Sequence, residues 1–313
     1  MSALKPEAQQ AIREAFGDRM IEGVAAIRAG RSGATVSTFR IDGRAYVVRV
    51  PDQEREDHQA RLTREVDCAA MASERGIGPE VRFADRTTGI VITAMIEDVL
   101  VGPARALAPG RFERLTKTLR TLHEGPPIEG GGNVFDILGH FDGLLRSKRG
   151  RGVPPDLDRA LRTSAEAAQG FGVVAPCHND LNPSNILETA DRAYLVDWET
   201  AGPGDPFIDL AQVGVFGTLD DRRRLELLEC YVGHPPTPSE REHARLARVI
   251  ALGFYAVGFT TIAALTGEGD PEDVAEPRTM RELLMEFGAG KTPAKEMAAT
   301  LQTLALRELE ALA

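Results

Sequence analysis

Two regimes of hydrophobic spacing divide the 313 residues of this chain. Up to residue 95 short apolar runs alternate with polar positions, the period of a half-buried strand. Val24–Ala29, Thr35–Ile41, Ala45–Val50, Glu80–Ala84 and Ile90–Met95 read as strands. Asp42-Gly43 fits a two-residue hairpin turn, and Thr87-Thr88-Gly89 turns the last pair. One helix, Gln59–Arg75, is inserted between strands and stopped by Gly76. This pattern predicts a five-stranded antiparallel sheet with one helix over residues 1–95. Beyond it the helical period takes over, with helices near Arg111–His123, Phe135–Arg146 and Asp156–Ala168. Others follow near Pro206–Phe216, Asp220–Val232, Pro238–Leu265 and in two C-terminal stretches. The fold class is therefore α+β and bilobal, with a larger, mostly helical lobe over 96–313.

Composition narrows the setting. Hydrophobic residues at 42% and charged residues at 27% are ordinary for a globular protein, not a disordered one. A net charge of −10 argues against a nucleic-acid partner and slightly favours a cationic small substrate. Cys68, Cys177 and Cys230 are scattered, so they read as buried thiols in a reducing compartment. The first residues are charged and amphipathic, unlike a secretory signal, and the longest apolar run, Val249–Phe259, is too short to span a bilayer. The expectation is a cytoplasmic protein without a membrane span.

The chemistry concentrates between Cys177 and Ala211. His178-x-Asp180-x4-Asn185 is followed twelve residues later by Asp197-Trp198-Glu199, which ends an apolar run. Three of the chain's four asparagines lie here, Asn179, Asn182 and Asn185. Phosphoryl transfer needs a carboxylate to orient the attacking hydroxyl, and an amide and a second carboxylate to hold magnesium on the phosphates. The order and spacing match that set. The competing reading is a polar turn between two strands.

Flanking features agree with the catalytic reading. Gly30-Arg31-Ser32-Gly33-Ala34-Thr35 is a glycine-containing turn between strands, where backbone amides can approach phosphate oxygens. Ser32, Gly33, Ala34 and Thr35 are its nucleotide-binding candidates. Arg49 ends the third strand, where a cation would meet the α/β-phosphates; otherwise it is a surface strand residue. Glu65 on the following helix is its expected partner. Asp209, in the apolar run Phe207–Ala211, needs a partner if buried, and either caps a helix or braces the catalytic loop.

These motifs resemble the aminoglycoside phosphotransferase and choline/ethanolamine kinase superfamily, small-molecule relatives of the protein kinases. The resemblance is specific over residues 177–211 and covers most of the chain; Arg49 in place of lysine is similar to the choline kinase branch. It implies a protein-kinase-like fold and use of ATP and Mg2+. It further implies Asp180 as the catalytic carboxylate, and Asn185, Asp197 and Glu199 as metal ligands. His178 and Asp209 then have structural roles, and adenine lies against the Thr93–Glu97 linker, which adds Thr93 and Met95. The acceptor is the hydroxyl of choline, ethanolamine or a related amino alcohol. An aminoglycoside or thiamine is the alternative, and a nucleotide-binding protein without activity the second. Glu199, Tyr255 and Phe259 are candidates for holding a cationic acceptor; Tyr255 and Phe259 share a helix face at i, i+4. Equally, they are core residues of a long apolar helix.

Overall fold

A computed structural model describes residues 4–27, 34–52, 58–274, 278–287 and 291–312. In chain order the elements are α1 (Pro6–Phe16), β1 (Glu22–Ile27), β2 (Thr35–Ile41), β3 (Arg44–Val50) and α2 (His58–Glu74). There follow β4 (Val81–Ala84), β5 (Val91–Ala94), α3 (Gly102–Ala106), α4 (Arg111–His123), α5 (Val134–Arg149) and α6 (Pro155–Gln169). Four short strands come next: β6 (Ala175–Cys177), β7 (Ile186–Glu188), β8 (Ala193–Leu195) and β9 (Gly202–Gly204). The chain ends with α7 (Pro206–Phe216), α8 (Asp221–Val232), α9 (Pro238–Leu265), α10 (Met280–Phe287) and α11 (Ala294–Glu310).

The chain packs into two compact units. The first comprises Met1–Leu122, Ile128–Gly131 and Ser184–Ala201; the second comprises His123–Pro127, Gly132–Pro183 and Gly202–Ala313. The first therefore extends well past residue 95, where the change of period suggested a boundary. Hydrogen bonds explain the difference. Leu195 N donates to Ile77 O at 2.7 Å, and Leu100 N to Glu188 O at 2.7 Å. Thr118 Oγ1 donates to Ala193 O at 2.9 Å. Glu188 is fully buried on β7, and Arg105 and Arg111 hold its carboxylate at 2.5 and 3.0 Å. A buried charge demands such partners, so residues 96–122 are tied to the β7–β8 hairpin.

The first unit is built on an antiparallel sheet of order β1-β2-β3-β5-β4. Asp42 and Gly43 close β2 onto β3 with φ of 50° and 78°, both left-handed as the twist of a tight hairpin requires. Alternation sorts the strands' side chains. Phe39, Ile41, Tyr46, Val48, Val50 and Ile92 bury against Ala8, Ala11 and Ile12 of α1, a helix not anticipated as an element. The opposite face carries the cross-strand pairs Val36–Arg49, Arg49–Val91 and Val47–Thr93.

The second unit is organised around α9, a 28-residue helix with most of its central residues buried. By length and composition α9 could cross a membrane, although the apolar run read from the sequence was shorter; 83% of its most apolar window is buried inside the structure. Its neighbours are α5, α6, α7 and α11. Core packing accounts for the apolarity.

Gly89, between β4 and β5, has φ of +68°, and a Cβ there would lie 2.6 Å from Leu62 Cδ2 on α2. Gly89→Ala should therefore cost about 2–4 kcal/mol, combining left-handed strain with overpacking. Gly43→Ala, with φ of +78° and open space around it, should lose only about 1–2 kcal/mol of backbone strain. Urea denaturation of both variants checks the order; equal losses would contradict it.

Candidate functional site

The first unit assembles a cluster of opposite charges where β3, α2 and the segment after β8 meet. Glu65 is nearly buried, and Arg49 Nη1 donates to its Oε2 at 2.5 Å. Arg61, one helical turn before Glu65, donates to Oε1 at 2.7 Å. Arg49 Nη2 lies 3.5 Å from Asp197 Oδ1, and Arg61 Nη1 lies 3.8 Å from Glu199 Oε2. Arg64 holds the backbone of the same segment, Nη2 donating to Glu199 O at 2.9 Å. The expected Arg49–Glu65 pair is thus present, and Asp197 and Glu199 join it. Arg61 and Arg64 are additions; the i, i+4 spacing of Arg61 and Glu65 was a readable signal for the first.

The twelve-residue spacing between Asn185 and Asp197 has a local cause. β7 and β8 pair antiparallel with Ile186 opposite Leu195. Residues just before β7 and just after β8 therefore lie side by side at one end of the hairpin, and Val196 N donates to Asn185 O at 3.0 Å. Asp197 takes φ of 67°, left-handed and uncommon for a side chain with a Cβ. The hairpin thus brings the backbone at Asn185 and the backbone just before Asp197 side by side at one end.

These residues fit a magnesium ion. Asp197 Oδ1 and Glu199 Oε2 are buried and accept no hydrogen bond from the described residues. Burial first, then the charges of Asp197 and Glu65, pushes the Glu199 carboxyl up to about 7 against the opposing Arg49 and Arg61. Two carboxylates and a side-chain carbonyl, all oxygen donors, suit a hard divalent cation.

The other nucleotide candidates separate by register. Thr93 shares the Arg49 face of the sheet, whereas Thr35 pairs with Val50 and belongs to the face covered by α1. Ala34 is half-buried just before β2. Met95 is exposed, and its amide donates to Ala45 O at 3.0 Å. Ser32 and Gly33 lie outside the described residues.

In the second unit Asp180 follows β6 on a loop held from below by α7. Asn179 adopts φ of 65°, and neighbouring backbone groups are engaged by two α7 side chains. Asp209 accepts from His178 N at 2.8 Å and from Asn179 N at 2.9 Å. Gln212 accepts from Leu181 N at 2.8 Å and donates to Asn179 O at 2.9 Å. Asp209 and Gln212 are both fully buried. Asp209 thus braces the loop, one of the two roles expected of it; Asp205 caps the helix instead, accepting from Phe207 N at 2.9 Å. Gln212 was not foreseen, although a polar residue inside the apolar run of α7 was a signal. His178 is buried, and its amide joins this brace.

Asp209 also meets His123 Nε2 at 3.1 Å, and His123 Nδ1 lies 2.7 Å from the Tyr231 hydroxyl. Cys177 completes a buried trio with His123 and Asp209 whose potential ligand atoms lie within 4.8 Å of one another. The chemistry opposes a metal there. Burial, then Asp209 and Asp205, raises the Cys177 thiol well above its usual range, and the Asp209 oxygens already accept three donors.

Asp180 itself is half-buried. Its Oδ1 accepts from the Tyr255 hydroxyl at 3.0 Å, and its Oδ2 from Asn182 Nδ2 at 3.1 Å. Tyr255 and Phe259 lie on α9 and are both buried.

The sequence profile of the phosphotransferase enzyme family matches residues 26–240. Protein LicA of Haemophilus influenzae is 26% identical over 200 residues, spanning 62% of this chain and 74% of LicA. Thiamine kinase of Salmonella heidelberg is 40% identical over 58 residues, 18% of this chain and 20% of that kinase. The crystal structure of choline kinase LicA from Streptococcus pneumoniae aligns over 97% of each chain, with a TM-score of 0.67 and 15% identity. That likeness is one of fold, and it agrees with the expected kinase-like α+β architecture.

Replacing Asp209 tests the brace. Asp209→Ala strands two buried amides, each costing roughly 1–3 kcal/mol, so stability should fall by about 3 kcal/mol or more. Chemical denaturation measures it; a loss under about 1 kcal/mol would mean that the loop does not depend on this carboxylate.

Proposed function

Because this chain belongs to the phosphotransferase enzyme family, we propose that it transfers the γ-phosphate of magnesium-ATP to the hydroxyl of a small alcohol bearing a positively charged nitrogen. Choline and ethanolamine are the first candidates. The observation that carries the reading is the sequence spacing of a held carboxylate, Asp180, and the Asn185, Asp197 and Glu199 donor set five to nineteen residues further along the chain.

The roles follow from chemistry. Asp180 accepts the hydroxyl proton as the acceptor oxygen bonds to the γ-phosphorus and the bond to the β-phosphate oxygen breaks, releasing ADP; the proton then passes to solvent. Arg49, which donates to Glu65, would hold phosphate oxygens. Asn185, Asp197 and Glu199 would hold magnesium. When bound, that ion neutralises charge on the phosphate oxygens. Ala34 and Thr93 are candidates for the nucleotide's side of this reading.

The cationic acceptor rests on the acidic character of the donor set and on the choline kinase-like motif from His178 to Ala211. Burying a quaternary nitrogen requires anionic or π partners. The likeness to a thiamine kinase favours a second reading of the same class, since thiamine also carries a hydroxyethyl group and a cationic nitrogen.

Asp180→Ala should abolish turnover while leaving magnesium-ATP affinity within about twofold, because the lost group acts on the acceptor. Asp197→Ala should abolish turnover and also weaken magnesium-dependent nucleotide binding. Steady-state kinetics with calorimetric titration separates the two; near-wild-type kcat for Asp180→Ala would refute the assignment.

Coupled ADP detection should find turnover with choline, ethanolamine or thiamine ahead of aminoglycosides, macrolides and uncharged alcohols. Activity confined to uncharged alcohols would exclude the cationic acceptor.

A further inference from the structure

Tyr255 stands in the sequence as a ring for stacking on a cationic acceptor, and its surroundings argue for another task. The side chain is only 7% exposed. Its ring meets Phe216 edge-on at 4.5 Å and 73°, and Phe254 at 5.1 Å and 70°. All three rings belong to the second unit, two of them on its central helix α9. A ring packed in this way has its faces committed to the protein. Its polar end is what reaches the chemistry, the hydroxyl donating to Asp180 Oδ1 at 3.0 Å.

We infer that Tyr255 is a positioning residue, whose hydroxyl fixes the orientation of the Asp180 carboxylate for the acceptor's proton. Asn182 grips the other oxygen from within the loop, at 3.1 Å. Two donors, one on each carboxylate oxygen, restrain its torsion. The two grips differ in kind. Asn182 moves with the loop, whereas Tyr255 stands on a buried helix and references Asp180 to the core of the unit. Burial, then the charge of Asp180, raises the Tyr255 hydroxyl well above its usual range, so it remains a donor. The loss of a correctly aimed base costs rate more than binding, because the alignment matters at the transition state.

This inference rests on Asp180 being the proton acceptor, and the tests separate the two. Tyr255→Phe keeps the ring and its packing and removes only the donor. It should lower kcat about 10- to 100-fold with the KM values for acceptor and magnesium-ATP within about threefold. Removal of a donor leaves the carboxylate more basic, so the fall reports lost orientation and not lost basicity. Asn182→Ala should act in the same KM-silent way, and the double variant should lose less than the product of the two single losses, since both act on one carboxylate. A Tyr255→Phe kcat within threefold of wild type overturns the inference. So does a fall in kcat matched by a rise in acceptor KM, the signature of a direct acceptor contact, and so do strictly multiplicative losses in the double variant. If Asp180→Ala retains turnover, the functional reading fails first; if it abolishes turnover while Tyr255→Phe is silent, only the positioning role fails.

Discussion

A fully buried carboxylate has no water to solvate it, and the protein must supply every partner it needs. Asp209 meets that demand with two backbone amides and an imidazole, and in doing so it fixes the loop that carries Asp180. The arrangement works in both directions. The amides of His178 and Asn179 would be costly to bury without an acceptor, and the left-handed turn at Asn179 would be costly without restraint. Gln212, one helical turn on, completes the exchange with Leu181 and the Asn179 carbonyl. The polar groups of the loop and of α7 satisfy one another, and neither could be made apolar alone.

The first unit solves a different problem. It gathers Glu65, Asp197 and Glu199 close enough that Asp197 and Glu65 raise the Glu199 carboxyl, and it offsets them with Arg49 and Arg61. Complete neutralisation would leave nothing for a cation to do. The arginines instead take both oxygens of Glu65 and stand 3.5 and 3.8 Å from Asp197 and Glu199, too far for good hydrogen bonds. The cluster therefore divides into a satisfied carboxylate and two with residual demand. Uncommitted carboxylate oxygens of this kind suit a hard divalent cation.

Much of this was legible because it is local in sequence. Asp42-Gly43 announces its hairpin through two positive φ values, and the spacing from Asn185 to Asp197 is the length of a hairpin between two candidate ligands. Helix boundaries such as Pro206–Phe216 and Pro238–Leu265 follow from proline starts and capping residues. What escaped depends on partners far along the chain. A division at residue 95 ignores that Glu188, buried 83 residues beyond Arg105, ties the later hairpin into the first unit. The face of Thr35 is set by a one-residue parity that composition does not reveal. Gln212 looks like an isolated polar residue until Leu181 is brought beside it.

Tyr255 marks the deeper limit of reading residue types alone. An aromatic near a candidate catalytic carboxylate suggests a face for a cation, yet the same residue has a hydroxyl that acts along a different direction. Which end matters is decided by what packs on the ring. Phe216 and Phe254 take the ring, and the hydroxyl is left pointing at Asp180. A rigid helix then specifies the orientation of a group on a loop, and the loop's own residues need not do so alone. The restraint on Asp180 thus lies partly in the core of the second unit, on a helix whose position does not depend on the loop.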